Sequence, residues 1–234
     1  MMRIEIVRFL ILRTIGNFLV LFAVFGILAT FGPALYYEVA YHVVQIRGVH
    51  YAIASNSNSQ FSISNKQSSG GTASFADVLA GPQEQILTPP DTNFSILIPK
   101  IGASAKVFPN VDVSNQDIYL PILMQGVAHA AGSVFPGING NVYLFAHSTD
   151  NFWDVGRYNA VFYLLKNLTK GDEVVIYYQN KRYNYIATGS KIVNPSDVSY
   201  LVNSQNQNKQ QLILQTCWPP GTTLQRLLVF ASPK

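Results

Sequence analysis

The sequence predicts a mainly β domain, a closed or nearly closed barrel with a few short helices, behind one N-terminal transmembrane helix. Three observations carry this. Residues 15–37 form an apolar run broken only by small or isolated polar residues, and Arg3, Arg8 and Arg13 precede it. Residues 54–71 are dominated by Ser, Asn, Gln and Gly. From Phe94 onward, short blocks of branched and aromatic residues alternate with turn residues, and helical spacing is scarce. Many short strands with little helix suit a barrel.

Taken in order, residues 15–37 as a helix rising about 1.5 Å per residue span a hydrocarbon core of roughly 30 Å. The run is too long for the core of a cleaved signal peptide, and no small-x-small cleavage site follows it. The arginines before it and Glu38 after it place residues 1–14 in the cytoplasm and the rest outside, with Tyr36, Tyr37 and Tyr41 at the outer interface. The expected product is a single-pass cell-membrane protein with an extracytoplasmic domain. Residues 38–92 read as a juxtamembrane segment and polar linker. The stretch 54–71 buries too little apolar surface to offset its ordering entropy, so it is expected to be a flexible tether. Residues 75–87 read as a short helix, and Thr88-Pro89-Pro90-Asp91 opens the domain at 93–234.

Within that domain, strands are expected at 94–98 and 105–108, a short turn or helix at 116–121, and a polar loop bearing His129 at 126–133. A strand at 141–146 ends on His147. Apolar residues at Val161, Phe162, Leu164, Leu165 and Leu168 have helical spacing. A hairpin follows, 173–179 and 181–188 about Asn180, then a short strand at 191–193. Asn194-Pro195-Ser196-Asp197 opens another helix, and 204–211 is a polar loop before the apolar block Leu212-Ile213-Leu214.

Composition excludes some functions. A net charge of +4 on 234 residues with 12% charged residues marks neither a polyanion-binding surface nor a disordered chain, so no nucleic-acid partner is expected. No phosphate-cradling glycine loop and no paired metal-ligand spacing stands out. Asp112, Asp117, Asp150, Asp154, Asp172 and Glu173 are scattered, so no cofactor and no metal site is expected.

The chemistry gathers around residues 212–229. Cys217 is the only cysteine. Pro219, Pro220 and Gly221 cannot continue a ladder, so it should sit at a strand exit near the surface. Arg226 stands nine residues on, early in a returning strand at 227–230. A fixed guanidinium beside a thiol favours thiolate and can hold an oxyanion. The third partner should be a histidine. His42 and His50 lie near the first apolar segment, and His129 lies in the loop at 126–133. His147 ends a strand that opens into a loop, which is where a rigid element presents a side chain to a cleft. His147 is therefore preferred, and His129 is its nearest rival.

The ordered set Phe145-Ala146-His147-Ser148, Leu214-Gln215-Thr216-Cys217 and Arg226 resembles the sortases, the cysteine transpeptidases of bacterial surfaces. The loop at 136–141 and the turn Lys170-Gly171-Asp172 add to the resemblance, which runs from about Asn93 onward. One position departs: where the family often has threonine four residues before the cysteine, this chain has Ile213. The resemblance implies a sortase-like barrel and a catalytic set of Cys217, His147 and Arg226, supported by Thr216. It implies cleavage of an LPxTG-like sorting signal between Thr and Gly through a thioacyl-enzyme. Its partners would be secreted proteins with a C-terminal sorting signal, and an amine acceptor on a cell-wall precursor or a pilin lysine. Some sortases bind calcium, and nothing here marks such a site. Two other classes stand beside this reading. An L,D-transpeptidase-like cross-linker carries arginine two positions after its cysteine, where Pro219 stands here. A non-enzymatic, membrane-anchored β-domain that binds a partner would keep a sluggish Cys217.

Overall fold

A computed structural model describes residues 2–53, 84–148, 161–202, 208–220 and 222–234. The first element is a helix, α1 (Met2–Ile46), within which Ile6–Ala29 is long and apolar enough to cross a membrane. That window begins and ends earlier than the expected 15–37 and takes in Arg8 and Arg13, because Val7, Phe9, Leu10, Ile11 and Leu12 extend the apolar stretch around them. Two short strands, β1 (His50–Ile53) and β2 (Glu84–Leu87), pair in parallel as a separate two-stranded sheet. The helix expected at 75–87 is therefore a strand over its last four residues; 75–83, like the whole of the tether expected at 54–71, lies outside the described residues.

Eight strands close the barrel: β3 (Phe94–Ile98), β4 (Ala103–Val111), β5 (Val127–Ala130), β6 (Gly140–Phe145), β7 (Glu173–Tyr178), β8 (Lys181–Val193), β9 (Gln210–Trp218) and β10 (Gln225–Pro233). Around the ring they run β10-β8-β7-β3-β4-β5-β6-β9, and β9 pairs β10 to close it. Two neighbouring pairs are parallel, β4 with β5 and β6 with β9; each therefore needs a crossover. Two helices of the domain cover the outer face, α2 (Gln116–Leu123) and α3 (Ser199–Val202). Asn115 caps α2 by accepting from the Asp117 amide, and Asp197 receives the Ser199 amide at the start of α3.

Strand alternation sorts the core into layers. Val142, Leu144 and Ala146 point into the barrel with Leu212, Leu214, Leu227 and Val229. Tyr143, Phe145, Ile213 and Leu228 point outward, into a second apolar cluster under α2 and α3. Strand β6 is buried along its whole length because both its faces are covered.

Three local expectations are corrected. Phe162, Leu165 and Leu168 are buried at intervals of three, and the segment Tyr163–Asn167 is a 3-10 turn, whose period is three, rather than an α-helix. The strand at 191–193 is the end of β8, which continues past Thr188 through a bulge: Phe230 pairs Gly189 while Ala231 pairs Ala187. The polar loop at 126–133 contains β5, a strand with all four residues buried.

Candidate active site

Strands β6, β9 and β10 lie side by side, and their C-terminal, C-terminal and N-terminal ends respectively meet at one edge of the barrel. Cys217 occupies the penultimate position of β9 and is partly exposed. Its cross-strand partner on β10 is Arg226. On the other side, Phe145 pairs Gln215, and the ladder runs on as the Ala146 amide donates to the Gln215 carbonyl at 3.1 Å. The Thr216 hydroxyl donates to the Ala146 carbonyl, also at 3.1 Å and buried. Those two bonds hold the backbone before His147 against the backbone before Cys217. Strand alternation then puts Cys217 and Arg226 on the same, outward face as Ile213 and Leu228, while His147 follows two residues past the end of β6.

The three residues expected to carry chemistry are thus brought to one edge from three neighbouring strands. Cys217 lies at the strand exit, as expected, one residue before β9 ends at Trp218 and the prolines stop it. Arg226 likewise sits inside β10, which starts at Gln225. Its Nη1 donates to the carbonyls of Thr223 and Gln225 at 3.1 and 3.0 Å, which tethers the guanidinium to the turn entering the strand. Burial lowers the pKa of His147 from its usual 6.5, because the imidazolium loses hydration there.

The outer face beside these residues carries groups the sequence reading passed over. Tyr143, four residues before His147, donates its hydroxyl to Oε1 of Gln215, two residues before Cys217, across β6 and β9. Burial raises the Tyr143 pKa, with Arg226 opposing the shift, so the phenol stays protonated. Tyr119 of α2 meets Phe145 edge-on at 6.1 Å. Tyr200 of α3 packs on Phe230, its carbonyl accepts from Asn141 Nδ2 at 3.1 Å, and its hydroxyl accepts from Lys191 Nζ at 3.0 Å. The signal for Tyr143 and Gln215 was period two counted back from His147 and Cys217.

His129 is placed quite differently. It is fully buried in β5, its Nδ1 accepts from the Asn110 amide at 3.3 Å, and its Nε2 lies 3.1 Å from the Val134 carbonyl and 2.9 Å from Ser133 Oγ. The ring stacks on Phe135 at 4.5 Å. Both nitrogens serve the fold. His42 stands on α1 beside Glu38, and His50 opens β1, both away from Cys217 in the chain's architecture. Among the described residues no group of three or more His, Cys, Asp and Glu is placed to hold a metal ion.

Comparison with known proteins follows this geometry. Residues 96–234 match the model of the Sortase domain. Sortase D of Bacillus subtilis (strain 168) is 30% identical over 122 residues, covering 52% of this chain and 52% of that protein. The match thus spans about half the length of that curated relative. Two solved structures are similar in fold. The pilus-related sortase C of Group B Streptococcus is 27% identical with a TM-score of 0.50, covering 61% of this chain and 66% of its own. Sortase A from Corynebacterium diphtheriae is 26% identical with a TM-score of 0.50, covering 61% and 60%.

Proposed function

The chain belongs to the sortase family, and on that premise we propose that it is a membrane-anchored cysteine transpeptidase acting on secreted proteins with an LPxTG-like sorting signal. The observation that supports this most directly is the ladder pairing of Cys217 with Arg226, next to the strand that delivers His147.

In this mechanism the Cys217 thiolate attacks the carbonyl carbon of the signal's threonine. The tetrahedral oxygen is held by the Arg226 guanidinium, with backbone N–H groups near Cys217. His147, as imidazolium, gives its proton to the departing glycine amine as the C–N bond breaks, leaving a thioester on Sγ. The amine of a cell-wall precursor or a pilin lysine then attacks the thioester, and His147 takes back a proton. Thr216 supports the set by fixing the His147 strand against the Cys217 strand. Burial lowers the His147 pKa and so favours the neutral imidazole, the form that takes the proton back from the incoming amine. No cofactor takes part in this scheme.

The proposed placement is single-pass, with the basic N-terminus in the cytoplasm and the barrel outside, where freshly translocated chains are found.

The test incubates the protein, with and without Cys217→Ala, with a mixed set of LPxTG-type peptides. Mass spectrometry should show an acyl adduct on Cys217, cleavage between Thr and Gly, and release of the adduct by an added amine. Absence of any adduct together with an unreactive thiol would replace the enzyme with a binding module.

A further inference from the structure

The polar stretch 54–83 joins two strands that lie next to each other. β1, just before it, pairs in parallel with β2, just after it, and Ile53 is the register partner of Leu87. These two side chains pack together on Leu97, Val175 and Tyr177, a patch on the outside of β3 and β7 that is otherwise the barrel's own surface. Leu97 and Val175 are fully buried there. Next door, Tyr51 covers Gly102 so closely that a Cβ at that position would lie 2.7 Å from the ring.

The membrane helix reaches this sheet with little slack. α1 ends at Ile46 and β1 starts at His50. The residues between are tied back to the helix: the Arg47 amide donates to Val43, Gly48 to Gln45 and Val49 to Val44. Upstream, Glu38 on α1 accepts from Lys166 Nζ at 2.9 Å and from the Tyr163 hydroxyl at 3.4 Å, both on the barrel's 3-10 turn. Ala40, Tyr41, Val44 and Gln45 share a cleft with Tyr51, Lys100, Ile101 and Leu164. A three-residue connection extends about 10 Å at most. A free linker of the length of 54–83 would have an end-to-end distance of roughly 30 Å.

We propose that the outer face of β3 and β7 is the docking surface for the chain's own membrane-proximal strand, and that this contact seats the barrel directly on the end of α1. The stretch 54–83 is then the crossover that a parallel pair requires, not the tether that sets the reach of the active site. Cys217 is held at a fixed height and orientation above the lipid surface.

The test uses the full chain in lipid nanodiscs. In a Cys217→Ala background, where no native thiol remains, Ile53→Cys with Leu87→Cys is oxidised, and the chain is then cut at a protease site inserted within 54–83. The two halves should stay joined on a non-reducing denaturing gel at least tenfold more often than with Ile53→Cys and Glu84→Cys, which are out of register. Equal yields overturn the proposal. A second measurement keeps the native sequence at the strands: a dye on Cys217 transfers energy to a headgroup-labelled lipid, in the intact chain and in one with 54–83 cut to about half. Unchanged transfer supports the seated barrel, and a clear change with linker length overturns it.

Discussion

The Thr216 hydroxyl donates to the Ala146 carbonyl, and through that bond the residue before the cysteine holds the residue before the histidine. The two are seventy apart in the chain. Thr216 is buried, so the carbonyl has no water to turn to if the hydroxyl is removed. Thr216→Val keeps the shape of the side chain and strands that carbonyl. The expected cost is about 1–3 kcal/mol in denaturant unfolding, with a fall in kcat/KM for peptide cleavage larger than the unfolded fraction explains. Thr216→Ser should restore both. If Thr216→Val were as active and stable as the wild type, the bond would have no part in setting the site.

Arg226 offers a sharper test of chemistry. A lysine there keeps the charge and loses the planar fork that bonds both the Thr223 and Gln225 carbonyls and leaves donors for a substrate oxygen. Arg226→Lys should lower kcat by on the order of 10²–10³, as loss of an oxyanion donor does. The rate of Cys217 alkylation by a small reagent should change far less. Equal losses in both would make Arg226 a modulator of the thiol instead of a holder of the oxyanion.

Acid should weaken the fold through its histidines. Burial lowers the pKa of both His129 and His147 from the usual 6.5, so the unfolded chain binds more protons than the folded one just below that value. The stabilisation is complete above pH 6.5 and is lost as pH falls through the lowered folded-state values. Chemical denaturation between pH 8 and 5 should show this slope. His147→Gln should remove part of it while abolishing turnover. His129→Gln should also flatten the slope and lower stability at every pH, since the Asn110 amide and Val134 carbonyl lose their shared partner, but it should leave Cys217 alkylation unchanged.

Gly102 tests the seating of β1. Its φ is +63°, a region side chains rarely adopt, and Tyr51 fills the space a Cβ needs. Gly102→Ala is expected to cost about 1–3 kcal/mol. A truncated domain starting at 93 should suffer in the same way, because it lays bare Leu97, Val175 and Tyr177; sedimentation should show self-association that a domain starting at Val49 lacks.

The barrel, the strand that leads to His147 and the pairing of a cysteine strand with an arginine strand were legible in the sequence, since each rests on short apolar blocks bounded by turn residues, although that strand ends at Phe145, two residues short of the histidine. Positions fixed by long-range contact were not. Val127 to Ala130 looks like loop because it is short and flanked by Gly126 and Gly132, and only β4 and β6 on its two sides make it a strand. Glu84 to Leu87 has no alternation of its own; its partner is β1 across the polar stretch. Phe162, Leu165 and Leu168 fit a period of three or of 3.6 over so short a span, and the barrel they plug decides between them. Period two counted back from His147 and Cys217 leads to Tyr143 and Gln215, but only the ladder shows that the two side chains meet.

Because β6 and β9 run parallel, no tight turn can join them, and a long stretch of chain separates the two. The thiol therefore has its histidine beside it only when β6 and β9 are paired, and its arginine only when β10 is paired with β9. On the proposed mechanism, the site is complete only when the ring closes. A half-folded molecule would then hold a cysteine without its histidine and arginine, and would not yet attack a neighbouring chain.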